Sequence, residues 1–269
     1  MNQTTSGEKT PAWRAADAVL ACGSVVFSLA IAALGVETLV CAWKVEDASN
    51  LSRYRVIPVI PWVPAIPWLA CLVGAVLVAC AAGMLVKSTR RASGLVLGGF
   101  FFVCTVILEV PKNLADLGNM SLRTGVFEPL TIACVAWLLA GRSGLPQWLE
   151  RASRYLAAVS LIVFGVDHLI ALAPIGSLLP RWIPWHVFWI GFFGLAFVAA
   201  GVSLGVNVLA RWGAAGIGLM FAIWVFTLHL PRVLGWYGIP GAATNPNEWS
   251  SLFIAVALWG GFWGVARES

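Results

Sequence analysis

Seven ionisable side chains stand in stretches of this chain that are otherwise apolar. Asp167, His168, His229 and Glu248 lie in the second half, and Glu37, Glu109 and Glu128 in the first. Inside a bilayer such groups are costly, and they are kept where they line a pathway, relay protons or hold a ligand. An imidazole beside a carboxylate suits proton transfer, because histidine titrates near neutral pH and its neighbour tunes it. Asp167, His168, His229 and Glu248 are therefore the candidate catalytic set, a pocket in which a histidine donates or relays a proton. The first-half set is purely acidic. The second-half set also contains metal-ligand types, but no H-x-x-E-H or paired-His spacing supports a metal site, and none is expected.

Each residue also has a plainer reading. Glu128 and Glu248 suit the first turn of a helix, where the dipole favours negative charge, and Asp17 suits the first turn of the first helix. His229, two residues before Pro231, suits a helix end with free carbonyls. Glu109 is harder to dismiss, because a carboxylate at a helix C-terminus is unfavourable unless paired, and Lys112 is the nearest partner. His186, beside Pro184 and Trp185, reads as interfacial.

The elements that must position these residues follow from composition. Of 269 residues, 60% are hydrophobic and 11% charged, against about 25% charged in a soluble domain. That excludes a water-soluble enzyme, and it excludes disorder and nucleic-acid binding, which need charge density. A protein crossing a lipid bilayer several times remains. Apolar stretches of about 20 residues, the length of a spanning helix, fall at about 17–43, 66–87, 92–111, 126–141, 155–174, 184–209, 212–231 and 249–266. The first runs too far for the apolar core of a signal peptide and reads as an uncleaved spanning helix after a polar tail, 1–16. Six cysteines, none in a C-x-x-C pair, read as small packing residues. No phosphate loop, dinucleotide fingerprint, haem-attachment sequence or serine triad appears.

The chain repeats itself. At an offset of 120, Trp62 and Pro64 match Trp182 and Pro184, Gly74 matches Gly194, Gly98 matches Gly218, Glu128 matches Glu248, and Leu108-Glu109-Val110-Pro111-Lys112 matches Leu228-His229-Leu230-Pro231-Arg232. The first helices match at an offset of 130, Gly35-Val36-Glu37 against Gly165-Val166-Asp167. The expected architecture is all-α: eight transmembrane helices in two parallel four-helix bundle repeats, 17–145 and 146–269. Lys9, Arg14, Lys87, Arg90, Arg91, Arg142, Arg151, Arg154, Arg211 and Arg267 then lie on the N-terminal side, against Lys44, Arg53, Arg55, Lys112, Arg123, Arg181 and Arg232 opposite. Ten against seven puts both termini in the cytoplasm by the positive-inside rule, and all seven candidate residues at outer helix ends. The outer loops interleave proline with tryptophan (Pro58, Pro61, Trp62, Pro64; Pro180, Trp182, Pro184, Trp185), as rigid connections with an aromatic belt or as a docking rim for an extracytoplasmic partner.

At Trp182-Ile183-Pro184, Gly194, His229-Leu230-Pro231-Arg232 and Asn247-Glu248-Trp249 the chain resembles the DoxX family of small four-helix membrane proteins. The likeness is clearest over about 155–266, and duplication is its departure from the usual single unit. The resemblance implies a cell-membrane protein, and some family members are membrane subunits of thiosulfate:quinone oxidoreductases. It therefore implies quinone as the cofactor and a membrane or extracytoplasmic redox partner; it carries over no set of site residues, and Trp182, His229 and Arg232 are the candidates here for contacting the head group. Quinone reduction needs protons at two carbonyl oxygens, which the polar set could deliver. The alternatives are a carrier of a small solute or lipid, with the repeats as rocking halves, and a scaffold that anchors an extracytoplasmic partner.

Overall fold

The computed structural model describes residues 17–42, 66–141 and 144–268. The tail 1–16, the loop carrying Lys44, Arg53, Arg55, Trp62 and Pro64, and Arg142 lie outside the described residues. Among those described there is no strand, and eight helices are long and apolar enough to cross a membrane. They are α1 Asp17–Cys41, α2 Pro67–Leu85, α3 Arg90–Ala115, α4 Met120–Ala140, α5 Gln147–Ile170, α6 His186–Val206, α7 Ala210–Val233 and α8 Pro246–Arg267. Odd-numbered helices end, and even-numbered helices begin, at what is here termed the distal end.

Several boundaries differ from the sequence expectation. Helix α4 starts at Met120 rather than near 126, because the Asn119 side chain caps it by accepting from the backbone N–H of Ser121 and Leu122. Glu128 and Pro129 therefore lie inside the helix, and the first-turn reading of Glu128 is overturned. Helix α5 begins at Gln147, eight residues early, on a polar turn that buries Leu149 and Ser153. That amphipathic start is invisible to a search for unbroken apolar runs. Helices α3 and α7 do not stop at Pro111 and Pro231. Each passes through a π-helical segment, Thr105–Glu109 and Val225–His229, where Val110 N–H bonds to Thr105 O and Leu230 N–H to Val225 O. The wider turn absorbs the proline, which lacks an N–H and would otherwise clash with the preceding turn. The two segments stand 120 residues apart, at the sequence repeat.

Consecutive helices pack on each other, most extensively α5 on α6 and α1 on α2. In both pairs two glycines meet. A Cβ on Gly35 would lie 2.8 Å from the Gly74 carbonyl oxygen, and one on Gly165 2.6 Å from that of Gly194. Backbones this close leave no room for a side chain, as at other small-residue crossings in membranes. The halves interlock. Helix α1 packs extensively on α8, α5 packs on α4, and α4 and α8 touch between them. The first helix of each half is thus seated on the last helix of the other. The deepest core, with Phe27, Ile132, Ala257 and Phe262 almost wholly buried, lies along that seam. At the opposite, proximal end Arg211 pairs with Asp17, tying the start of α7 to the start of α1.

Candidate functional site

The distal end collects the ionisable residues because each sits in the last turns of an odd helix or the first turns of an even one. They divide into separate groups.

Arg232, carried to the end of α7 by the π segment, grips Glu248 in the first turn of α8. Nε lies 2.8 Å from Oε2 and Nη2 lies 2.6 Å from Oε1, a two-pronged guanidinium–carboxylate pair. His229, the last π residue, is partly buried within electrostatic reach of both charges and makes no hydrogen bond among the described residues. The carbonyl of Thr227, four residues before Pro231 and so without the usual N–H partner, accepts from the Tyr237 hydroxyl at 2.5 Å.

Asp167 does not join that group. It is 4% exposed and bound by Arg123 at the start of α4, with Nε at 3.0 Å and Nη2 at 2.7 Å from Oδ1. The pair crosses from one half to the other, and a further Arg123 nitrogen donates to the Leu117 carbonyl. A buried carboxylate needs such a partner, which answers why Asp167 faces α4 and not the interior of its own half.

His168, its neighbour, turns the other way. Its Nδ1 donates to the Phe164 carbonyl at 2.7 Å, since a carbonyl can only accept. In the neutral ring this leaves Nε2 as an acceptor, and Nε2 is buried without a partner. The ring stacks on Trp224 of α7 at 5.5 Å and 29°, and leans on Phe197 of α6 at 5.2 Å. The aromatic contacts continue from Trp224 to Phe193 and from Phe193 to Trp189. The indole nitrogens of Trp224 and Trp189 are also buried and unpartnered. An acceptor nitrogen and two N–H donors thus occur in one aromatic cluster.

In the first half, Lys112 Nζ binds Glu109 at 2.7 Å across one turn, and Glu109 is 4% exposed. Glu128, the counterpart of Glu248, has no ion pair or hydrogen bond among the described residues. Glu37, the counterpart of Asp167, accepts from the Ser250 hydroxyl of α8 at 3.1 Å, while its other oxygen is buried without a partner.

Of the four residues expected to share one pocket, Glu248 and His229 come together with Arg232, whereas Asp167 and His168 each face elsewhere. Trp182 lies in the turn before α6, 65% exposed, with no ring contact or hydrogen bond among the described residues. His186 Nε2 meets the Pro180 carbonyl at 3.1 Å, which serves the α5–α6 turn. Arg123, Ser250, Trp189 and Trp224 were missed by sequence reasoning. A helix begun at Asn119 would have put Arg123 in a first turn facing the end of α5. The tryptophans carried no signal separating them from the twelve percent of aromatic residues. Among the described residues, no three His, Cys, Asp or Glu side chains gather as they would around a metal ion. No model of a known protein family, no curated protein and no solved structure matches this chain.

Proposed function

We propose that this multi-pass membrane protein is a tandem of two DoxX-like units and serves as a quinone-linked redox subunit, with the distal end at the outer leaflet of the cell membrane and both termini in the cytoplasm. The observation that carries the reading is His168: a partly buried imidazole, one nitrogen spent on Phe164, the other buried without a partner, stacked on Trp224. A quinone head group is a flat ring with oxygens at opposite ends. The aromatic faces of Trp224 and Phe197 suit the ring, the unpartnered Nε2 suits a hydroxyl on the reduced form, and an indole N–H suits a carbonyl on the oxidised form. A bound quinone supplies reversible exchange of two electrons and two protons, and the electrons come from a partner protein or substrate. The chain's part is to orient the ring, exclude water and hold a proton at His168 Nε2. His229, beside Arg232 and Glu248, is the second proton-handling residue. The tandem reading is supported by the paired glycines and π segments at matching positions in the two halves.

The test is titration of the purified chain in nanodiscs with a short-tailed quinone, read by quenching of tryptophan fluorescence. Wild type should bind saturably. Losing a buried hydrogen-bond partner at His168→Ala costs about 1–3 kcal/mol, roughly a tenfold to hundredfold loss of affinity. His229→Ala should shift affinity less. Absence of saturable binding by wild type would overturn the reading. Solute uptake by proteoliposomes would then favour a carrier, and absence of both a scaffold.

A further inference from the structure

Asp167 and His168 are neighbours in the last turn of α5, and they face different helices, α4 for the carboxylate and α6 and α7 for the imidazole. Successive residues of an α-helix are turned by about 100° about its axis, so fixing the direction of one side chain fixes that of the next. Of the other two residues of the turn, Leu169 lies against Gly194 of α6 and Ile170 is 67% exposed. Neither demands a direction, because apolar contact is non-directional. The ion pair does, because a guanidinium holds its donors in a rigid fork.

Arg123 is itself held. Its Nη1 donates to the Leu117 carbonyl of the α3–α4 turn at 2.6 Å, while Nε and Nη2 close on Asp167 Oδ1 at 3.0 and 2.7 Å. Contacts therefore run from that turn through Arg123 to Asp167 and, one residue on, from His168 to Trp224. The path starts in the first half of the chain and ends in the second.

The repeat shows the parts divided. At the offset of 130, Thr38 stands for His168 and Leu34 for Phe164, and the Thr38 hydroxyl donates to the Leu34 carbonyl at 2.7 Å as His168 Nδ1 does to that of Phe164. At the offset of 120, Leu77 stands for Phe197, Cys104 for Trp224, and Ala243 for Arg123. The first half thus keeps the bond along the helix and has neither imidazole nor indole at these positions. The second half has both, and an alanine at the position that matches the arginine.

We propose that Arg123 is a positioning residue for His168: its clamp on Asp167 sets the turn of α5 that lays the imidazole on Trp224. The site is then composite, with the rings from the second half and the directing charge from the first. That the clamp sets affinity for a quinone rests on the function proposed above; that it sets the place of the ring does not.

The experiment uses the full chain with isotope-labelled histidine in nanodiscs, read by nuclear magnetic resonance. The chain has three histidines, so each ring resonance is assigned by its own alanine variant. A ring stacked on an indole lies in the ring current of that indole, and Trp224→Leu gives the resonance of the unstacked ring. Arg123→Gln should move the His168 resonance most of the way to that position and leave His186 in place, and Arg123→Lys, which keeps the charge, should move it less. Should Arg123→Gln not fold, Arg123→Ala with Asp167→Asn removes the charge together with its partner and reads the same displacement. With a short-tailed quinone, Arg123→Gln should weaken binding about tenfold, and no further in the His168→Ala background. A purely structural arginine would weaken both alike. An unmoved His168 resonance in a folded variant lacking the clamp, or an equal loss of affinity with and without His168, would overturn the proposal. A displaced resonance in a chain whose wild type binds no quinone would uphold the clamp and overturn the quinone reading.

Discussion

The distal ends of the two halves of the chain carry several matching features and differ in chemistry. Both have a glycine pair where the first two helices cross, a π segment in the third, and a proline two residues after that segment. On this common frame the first half places Glu109 and Lys112, which neutralise each other within one turn, and the second places His229 with the Arg232–Glu248 fork between helices. A carboxylate at position 109 draws its lysine back along the helix. Histidine at position 229 leaves the arginine to reach across to α8. The crossings between halves differ too: one oxygen of Asp167 is ion-paired with Arg123, whereas Glu37 accepts from the Ser250 hydroxyl, and in each carboxylate the other oxygen is buried without a partner among the described residues. What the halves hold in common is geometry, and what function requires has been placed on it unequally.

That inequality predicts the largest effect at the ion-paired crossing. Arg123→Ala leaves a buried carboxylate unpaired, and should cost about 3–5 kcal/mol in unfolding by heat or denaturing detergent. Arg123→Ala with Asp167→Asn should recover most of it. Glu37→Gln should be neutral or stabilising by the same assay, and a loss as large as that of Arg123→Ala would break the contrast. The shared frame predicts the next effect to be equal in the two halves. Gly35→Ala and Gly165→Ala each force the crossing apart, at about 1–3 kcal/mol. A marked difference between them would mean that the two crossings are not equivalent. Smaller again, Arg232→Lys replaces a two-pronged pair by a point charge and should cost about 1 kcal/mol, whereas Lys112→Arg should change little. Smallest, Tyr237→Phe removes the donor to the Thr227 carbonyl, for about 0.5–1 kcal/mol, with no matching effect in the first half, where Leu117 stands 120 residues before Tyr237.

Hydropathy alone located all eight helices, because a spanning segment must be apolar over its whole length. Their ends were less legible, since capping by Asn119 and the polar first turns of α5 depend on single side chains. The repeat marked Glu109, His229, Glu128 and Glu248 as equivalent positions. It could not show that α1 and α5 would each pack on the other half, so the partners of Glu37 and Asp167 were out of reach. His168 was read as chemistry-bearing from its type and setting. Its stacking on Trp224 was not readable, because it depends on how α5, α6 and α7 pack around Phe197 and Phe221.

The proposed function requires that the two halves enter the membrane from the same side, with the distal end outside. Reporter fusions after Ser88, in the α2–α3 turn, and after Val208, in the α6–α7 turn, test this most directly. Both reporters should be cytoplasmic. Opposite orientations would contradict the parallel duplication, and two outward reporters would put the His168 cluster at the inner leaflet.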